Sequence, residues 1–570
     1  MIALSCQQKD VIDAPITPLA VTACAGSGKT TTAVRRLAEM RSRLDDRHGI
    51  VVLLSFSNVA VDTFNKDYIG LLRAREAVVR PHGVEIDTVD GFITSNIVRP
   101  HGHLVMGCDR CPFLVDGREP FNARFTVWDG ERSHRTATIK VGIEGGDFVF
   151  AGEFKTKFAK NDAIKSIDKL GKVGAYTHSL ARYWAIRVLK EQPFVLSALI
   201  RRYPHILVDE AQDIGAEHEA ILRMLMDGGT QLSLIGDTHQ GIYDFSGANG
   251  IFLGNYGKVV GVAEKNLEKN FRSVPSIVEI ANKLSGRNDE ADREEPASLS
   301  GAYIIPYKQN EKDKVLAAFA SMLVKAEIEP TQATVLCRSK KWAGEWGDQE
   351  DTQGQGIVKL FAQAAVHRDK AGRFDESFRA GCLAVIGLLD PKHGDLPAQL
   401  VRPSKDVWLM RLRREIWSFL RNTDTGLPKA TLVADSEWHR LLVPRAKAFV
   451  AKLQDDFAVT PGENLGAKLA KKGLTGKPLF ELSDLAQEKT PRFRVSTVHK
   501  VKGESIGGVM YICNKDHVEK LVDGTGTEVG RIGYVALTRA RNLFVLAVPA
   551  SNIKALQPKL LAIGFKKSPP

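Results

Sequence analysis

The chain lacks any run of about twenty apolar residues, so no membrane-spanning helix is expected. Its first residues, Met1-Ile2-Ala3-Leu4-Ser5, set no basic stretch before an apolar core, and no secretory leader is expected. Cysteine is scarce and odd in number. Seven thiols scattered over 570 residues suit a reducing cytoplasm and do not make a disulfide framework. No internal repeat and no long acidic cluster is present; Asp289 to Glu295 is a short acidic stretch that reads as a surface loop. What the chain does have is ordinary globular composition, 44% hydrophobic and 26% charged, in a length too great for one core. Several domains are expected. The net charge of +12 favours a polyanionic partner.

Leu19-Ala20-Val21-Thr22 reads as a short apolar strand, and Thr31 to Leu37 as the start of a helix. Between them, Ala23 to Thr30 spell Ala-Cys-Ala-Gly-Ser-Gly-Lys-Thr. A Gly-rich loop in that setting turns its backbone N–H groups, with a helix N-terminus behind them, toward phosphate oxygens. Ala25, Gly26, Ser27, Gly28, Lys29, Thr30 and Thr31 are the expected nucleotide-binding residues. Lys29 would reach the β/γ-phosphates of ATP, and the Thr30 hydroxyl would ligate Mg²⁺. Ala23 stands where the usual pattern has Gly.

Far downstream, His205-Ile206-Leu207 leads into Val208-Asp209-Glu210-Ala211-Gln212-Asp213. This puts two acids at the end of a buried strand. Asp209 would hold Mg²⁺ through water, and Glu210 would orient and deprotonate the attacking water.

Strands alternate with helices through the first third: Leu19–Thr22, Ile50–Ser55 and Val84–Thr88, then Ile206–Asp209 and Leu232–Gly236 much later. This pattern indicates a parallel α/β sheet. The stretch from Ala123 to Phe154 differs. Its short apolar runs and the turn signals Asp129-Gly130 and Gly145-Gly146-Asp147 predict a β-meander inserted into that domain. A second α/β unit is expected from about Val262. It is interrupted between Gly344 and about Thr490 by a mostly helical block in which Leu409, Leu412, Ile416 and Leu420 share a face. Arg411, Arg413 and Arg414 beside them read as a solvated face, with duplex contact the alternative. His101, His103, Cys108 and Cys111 fall in one short segment. Their spacing is not that of a known zinc finger, so reduced cysteines are expected, with zinc the alternative.

In order and content these motifs resemble the UvrD/Rep/PcrA group of superfamily 1 helicases, with matches from Leu4 to Arg541. The resemblance implies two RecA-like parallel-sheet P-loop NTPase cores, each with an inserted subdomain, the first partly β and the second mostly helical. The implied boundaries are 1–94 and 176–261 for the first core around an insertion at 95–175. For the second core they are 262–343 and 491–570, around an insertion at 344–490. Leu4-Ser5-Cys6-Gln7-Gln8 is similar to the family's N-terminal motif and implies Gln8 as the adenine contact. Ser55-Phe56-Ser57-Asn58 and Thr88-Val89-Asp90-Gly91-Phe92 resemble single-strand contact motifs, implying Phe56, Asn58 and Thr88 on DNA. The stretch Gly236 to Phe245 resembles the motif linking ATP to DNA, with Gln240 sensing the γ-phosphate and Tyr243 and Phe245 facing bases. The family usually has Trp at the place of Phe245 and Arg at that of Ser246. Leu267 to Ser273 implies Phe271 against adenine and Arg272 on the γ-phosphate. Thr497 to Glu504 implies Thr497 and His499 on DNA and Glu504 on the ribose, and Tyr534 to Ala540 implies Arg539 as a second arginine finger.

The resemblance implies an ATP-dependent, Mg²⁺-requiring, cytoplasmic motor that moves 3′→5′ on single-stranded DNA and unwinds duplex at junctions. A second reading stands beside it: a DNA-stimulated ATPase sensor or motor subunit without robust unwinding. Such subunits are similar to the small UvrD-like partner of an OLD-type nuclease in the anti-phage system Gabija. The chain shows no nuclease constellation, so cleavage would require a nuclease partner protein.

Overall fold

The computed structural model describes residues 4–568 apart from 45–48, 75–82, 116–121, 123, 153–155, 244–246, 248–249, 348–351, 370–371, 391–392, 394–395, 402–405 and 481–492. It forms two compact units. The first comprises Met1–Gly347 with Pro491–Pro570, and the second Asp348–Thr490.

The first unit is built on two six-stranded sheets. Strands β1 (Leu19–Ala23), β2 (Val51–Ser55), β3 (Val84–Thr88), β4 (His205–Val208), β5 (Gln231–Gly236) and β6 (Ala263–Leu267) form one in the order β6-β1-β5-β4-β2-β3. Every pairing is parallel. Burial on both faces explains why the inner strands read as continuous apolar runs. Leu19, Val21, Val51 and Leu53 pack with Val34, Leu37 and Phe64 on one side. Ala20, Val52, Leu54, Ile206 and Val208 face Phe92, Leu180 and Trp184 on the other. This is the two-residue alternation of a strand made visible.

The second sheet contains β7 (Gly301–Tyr307), β8 (Ala333–Cys337), β9 (Arg494–Thr497), β10 (Ile506–Ile512), β11 (Ala540–Pro549) and β12 (Lys566–Lys567), in the order β9-β8-β10-β11-β7-β12. It too is parallel throughout. Val509, Tyr511, Phe544 and Leu546 face helices Pro275–Ser285 and Glu528–Leu537, whereas Met510, Ile512, Val545 and Ala547 face helix Lys312–Lys325. Both sheets are RecA-like.

The first sheet extends past residue 262, where the second α/β core is expected to begin, because Ala263–Leu267 pairs with β1 along its whole length. Ala-Glu-Lys-Asn-Leu is an edge strand with one buried residue, so it carries no apolar run to announce it. The inserted β region consists of two hairpins, Thr126–Trp128 with Ser133–Arg135 and Lys140–Glu144 with Asp147–Ala151. Their buried Val127, Val141 and Phe150 belong to the same core as Trp184 and Ile206.

The second unit is helical. Helices Gly356–Asp369, Phe374–Gly387, Val407–Arg421 and His439–Phe457 enclose Phe361, Leu412, Ile416, Leu420 and Trp438, all fully buried. Two of the arginines near Leu409 cover rings: Arg411 lies 5.8 Å from the centroid of Phe457, and Arg413 5.3 Å from that of Phe378. Arg368 is buried and ties the unit's turns together. It donates to the carbonyls of Leu420 (2.7 Å), Leu427 (2.8 Å) and Pro428 (3.0 Å) and pairs with Asp369. Arg368→Met would remove the guanidinium donor to these carbonyls, of which Pro428 keeps only the Trp438 Nε1–H (3.3 Å), at a cost of about 3 kcal/mol. Urea unfolding of the full chain followed by tryptophan fluorescence should show one transition shifted to lower urea; an unshifted profile would deny Arg368 this role.

Candidate functional site

β1 ends at Ala23, and the loop after it turns through two left-handed glycines, Gly26 at φ +74° and Gly28 at φ +77°. Close packing also requires them. A Cβ on Gly26 would lie 2.6 Å from Cβ of Arg272, and one on Gly28 2.6 Å from Nε2 of Gln8. Helix Lys29–Arg43 follows. Gln8 donates from Nε2 to the Ser27 carbonyl (3.0 Å), while its Oε1 accepts from the Ser5 N–H (3.0 Å). Both ends of its amide are engaged within the protein, so Gln8 fixes the loop's shape. Ala25 and Ser27 are buried in the loop, and Thr30 and Thr31 are partly exposed in the first helical turn. Lys29 is 8% exposed and donates to the Cys24 carbonyl at 3.0 Å. Burial pushes the Cys24 thiol up to about 12, which keeps it neutral.

β4 delivers the acids. Asp209 is buried; its Oδ2 accepts from the Thr30 hydroxyl at 3.4 Å, and its Oδ1 has no hydrogen-bond partner. Burial, reinforced by the charge of Glu210, pushes Asp209 up to about 7. Glu210 takes a left-handed backbone, φ +55°. A non-glycine residue adopts this at a cost of about 1–3 kcal/mol. Burial acts to raise Glu210, but Lys29, Lys502, the Gln212 hydrogen bond and Arg539 outweigh it and hold it below the usual carboxylate range. Glu210 is therefore ionised at neutral pH. The orphaned Oδ1 of Asp209 beside the Thr30 hydroxyl gives an all-oxygen donor set that fits a hard cation such as Mg²⁺.

A relay of side chains runs from these acids to the second sheet. Gln212 donates to the Glu210 carboxylate and accepts from the Asp237 N–H (2.9 Å) just beyond β5. Asp237 accepts from Gln240 Nε2 (2.9 Å), and Gln240 Oε1 accepts from Arg539 Nη2 (3.1 Å). Arg539 is 1% exposed and lies between helix Glu528–Leu537 and β11. Arg272 follows β6 and donates to the Thr538 carbonyl at 2.9 Å. Burial, then the charge of Arg539, push Arg272 down to about 9. These groups enclose a cavity of about 370 Å³, with Lys29, Thr30, Glu210 and Gln240 on one side and Phe271, Arg272, Arg539 and Arg541 on the other. It sits at the C-terminal ends of β1, β4 and β5, where ligands bind in open α/β sheets.

Glu504 is not brought to this cavity. Its carboxylate pairs with Arg494 at 2.6 and 2.8 Å, and its neighbours Gly503 and Ser505 line the wall instead. Lys502 is a residue that sequence reasoning left without a role. It donates to both oxygens of Asp213 (2.6 Å each) and to the Gln240 carbonyl (2.9 Å), with side chains only 9% and 6% exposed. Burial raises Asp213 to about 6. Both residues fall within recognisable motifs, but their pairing spans 289 positions and left no mark in the sequence.

Among the expected DNA contacts, Tyr243 and His499 stand together, ring centroids 5.6 Å apart, with Thr497 at the end of β9. Phe56 follows β2 and packs edge-on against His218, and Asn58 is exposed on the first turn of helix Asn58–Ala74. Thr88 accepts from the Gly91 N–H (2.9 Å) as a helix cap. Phe245 lies outside the described residues. The Cys108 and Cys111 thiols donate to the carbonyls of Arg110 (3.4 Å) and Arg99 (3.3 Å). Among the described residues, no group of three or more His, Cys, Asp or Glu is gathered as a metal site.

Residues 153–258, which carry β4, β5, Glu210 and Gln240, match the family model described as UvrD/REP helicase N-terminal domain. Over 375 residues the chain is 24% identical to the ATP-dependent DNA helicase UvrD1 of Mycobacterium tuberculosis, covering 58% of this chain and 45% of that protein. Over 306 residues it is 24% identical to DNA helicase II of Haemophilus influenzae, covering 50% and 41%. The chain is UvrD/Rep-like. This UvrD/Rep-like chain is also 28% identical over 206 residues to an ATP-dependent helicase/nuclease subunit from Lactococcus lactis, covering 29% of the chain and 17% of that protein. It spans less than half the length of each of these relatives.

The geometry sets an expectation for the two cavity arginines. Arg272→Ala and Arg539→Ala should each cut nucleotide hydrolysis by a factor on the order of 10³, and the double mutant should lose little more, because groups that act as one unit are not additive. Steady-state hydrolysis of the three variants checks this; near-parental turnover in either single mutant removes that arginine from the site.

Proposed function

We propose that the protein is a DNA-stimulated ATPase that translocates 3′→5′ on single-stranded DNA and unwinds duplex. The observation that carries this reading is the cavity itself. Phosphate loop and base come from one parallel sheet, Arg539 from the elements of the other, and Arg272 from the link between β6 and the helix Pro275–Ser285 that packs on that other sheet. Lys29 exchanges its bond to the Cys24 carbonyl for the β/γ-phosphates. Asp209 and Thr30 would hold Mg²⁺, which when bound neutralises phosphate charge. Glu210 takes the proton of the attacking water. Arg272 and Arg539 meet the negative charge that develops on the transferred phosphoryl group.

Coupling to DNA follows from shared elements. The helical turn that carries Gln240 leads directly to Tyr243, whose ring lies under Lys502 at 5.1 Å. A change at the γ-phosphate therefore reaches an aromatic group suited to stacking on bases, which is worth roughly 1–3 kcal/mol per base and accepts any sequence. Phe56, Asn58, Thr88, Thr497, His499 and Phe245 complete the proposed track. Motion arises when nucleotide draws the two cores together and its hydrolysis releases them. A second reading, a motor subunit working beside a nuclease, is favoured by the match to the helicase/nuclease protein of Lactococcus lactis.

Lys29→Ala should abolish hydrolysis, and Glu210→Gln should keep nucleotide binding while losing about 10²–10⁴ in rate. Unchanged turnover in Glu210→Gln would remove it as the base. Strand displacement on duplexes with a 3′ or a 5′ single-stranded tail tests the motor: separation of the 3′-tailed substrate alone is expected. Robust ATPase with no separation would favour the motor subunit over the helicase.

A further inference from the structure

Each cation in the cavity but one is engaged by the protein. Lys29 bonds the Cys24 carbonyl, Arg272 the Thr538 carbonyl, and Arg539 the Val535 carbonyl and Gln240. Arg541 also lines the cavity, yet its guanidinium makes no hydrogen bond or ion pair with any described residue, and the residue is exposed. Its backbone is nonetheless fixed. The Arg541 carbonyl accepts from the Val274 N–H (2.9 Å) and from Arg293 Nη1 (3.2 Å), and Arg293 also holds the Arg272 carbonyl (2.7 Å). A long flexible cation is thus anchored beside Arg272 with its head left to the cavity. Lys29, Arg272, Arg539 and Arg541 face a single wall carboxylate, Glu210. Such an excess awaits an anion of several charges.

We propose that Arg541 is a third arginine contact of the bound nucleotide, acting on the part of the phosphate chain that ATP and ADP share. The inference rests on the nucleotide reading of this cavity. Its placement away from the scissile phosphate follows from position. Arg539 reaches Gln240 and so stands by Glu210, whereas Arg541 is two residues on, within β11, beside Arg272 and Arg293. The charges that act most on Glu210 are those of Lys29, Lys502 and Arg539, while Arg541 acts on Arg272 and Arg293. A solvent-exposed guanidinium that touches groups present before and after hydrolysis strengthens ground state and transition state alike, so it lowers KM rather than raising kcat.

The experiment uses the full chain and its Arg541→Ala and Arg541→Lys variants. Each is titrated with a fluorescent ADP and with a non-hydrolysable ATP analogue, and ATP hydrolysis is measured on single-stranded DNA. One charge-assisted hydrogen bond is worth a factor of about ten. Arg541→Ala should weaken both nucleotides by about that factor and raise KM in step, with kcat changed far less, and Arg541→Lys should recover part of the loss. Parental ADP affinity in Arg541→Ala overturns the proposal. So does a fall in kcat with ADP affinity intact, which would make Arg541 a finger for the transition state. If the parent binds neither nucleotide, the reading of the cavity itself fails, and that result is distinct from a parent that binds and a variant that binds equally well. Equal thermal unfolding of the three proteins separates a lost contact from a lost fold.

Discussion

The 3.1 Å bond between Gln240 and Arg539 is where the two sheets meet over the acids. Behind Gln240 stand Asp237, Gln212 and Glu210; behind Arg539 stand helix Glu528–Leu537 and the first residues of β11. Each parallel sheet fixes its end of the relay from the backbone. Glu210 cannot move without disturbing Gln212, nor Gln240 without disturbing Lys502, which is clamped to Asp213 across the same divide. A change in what occupies the cavity must therefore pass through this small set of polar contacts. That is the physical content of coupling between nucleotide and the proposed DNA track.

The cations around the cavity pose an energetic problem that the fold has solved locally. A buried charge is costly unless it is hydrogen-bonded. Lys29, Arg272 and Arg539 are satisfied by main-chain carbonyls and one amide. These neutral acceptors are weaker than phosphate oxygens, to which charge-assisted bonds are roughly twice as strong. On the proposed reading, a polyanion in the cavity would displace these weaker acceptors. The left-handed backbone at Glu210 belongs to the same arrangement, since it turns the chain sharply between a buried strand and the short helical turn Ala211–Asp213.

Much of this was legible in the sequence because phosphate chemistry demands contiguous residues. The loop from Ala23 to Thr30 and the pair Asp209 and Glu210 sit on single strand ends, and local spacing is enough to read them. The inner strands were legible because burial on both faces writes an apolar run. β6 was not, since an edge strand such as Ala-Glu-Lys-Asn-Leu has solvent on one side and no such run. Nor was the ion pair of Lys502 and Asp213, which depends on two sheets meeting. Glu504 shows the reverse failure: a motif placed it at the nucleotide, whereas Arg494, ten residues earlier, holds its carboxylate elsewhere. Gln8, implied as the adenine contact, stands beside the phosphate loop with its amide on Ser5 and Ser27.

On the proposed reading, occupancy of the cavity and engagement of nucleic acid are one coupled event. Steady-state ATP hydrolysis by the parent protein, with and without an unstructured single-stranded DNA, measures it directly. The expected result is a low rate alone and a steep rise with DNA, fading as salt is raised from about 50 to 200 mM because the DNA contact releases counterions. A rate that is the same with and without DNA at low salt would contradict it.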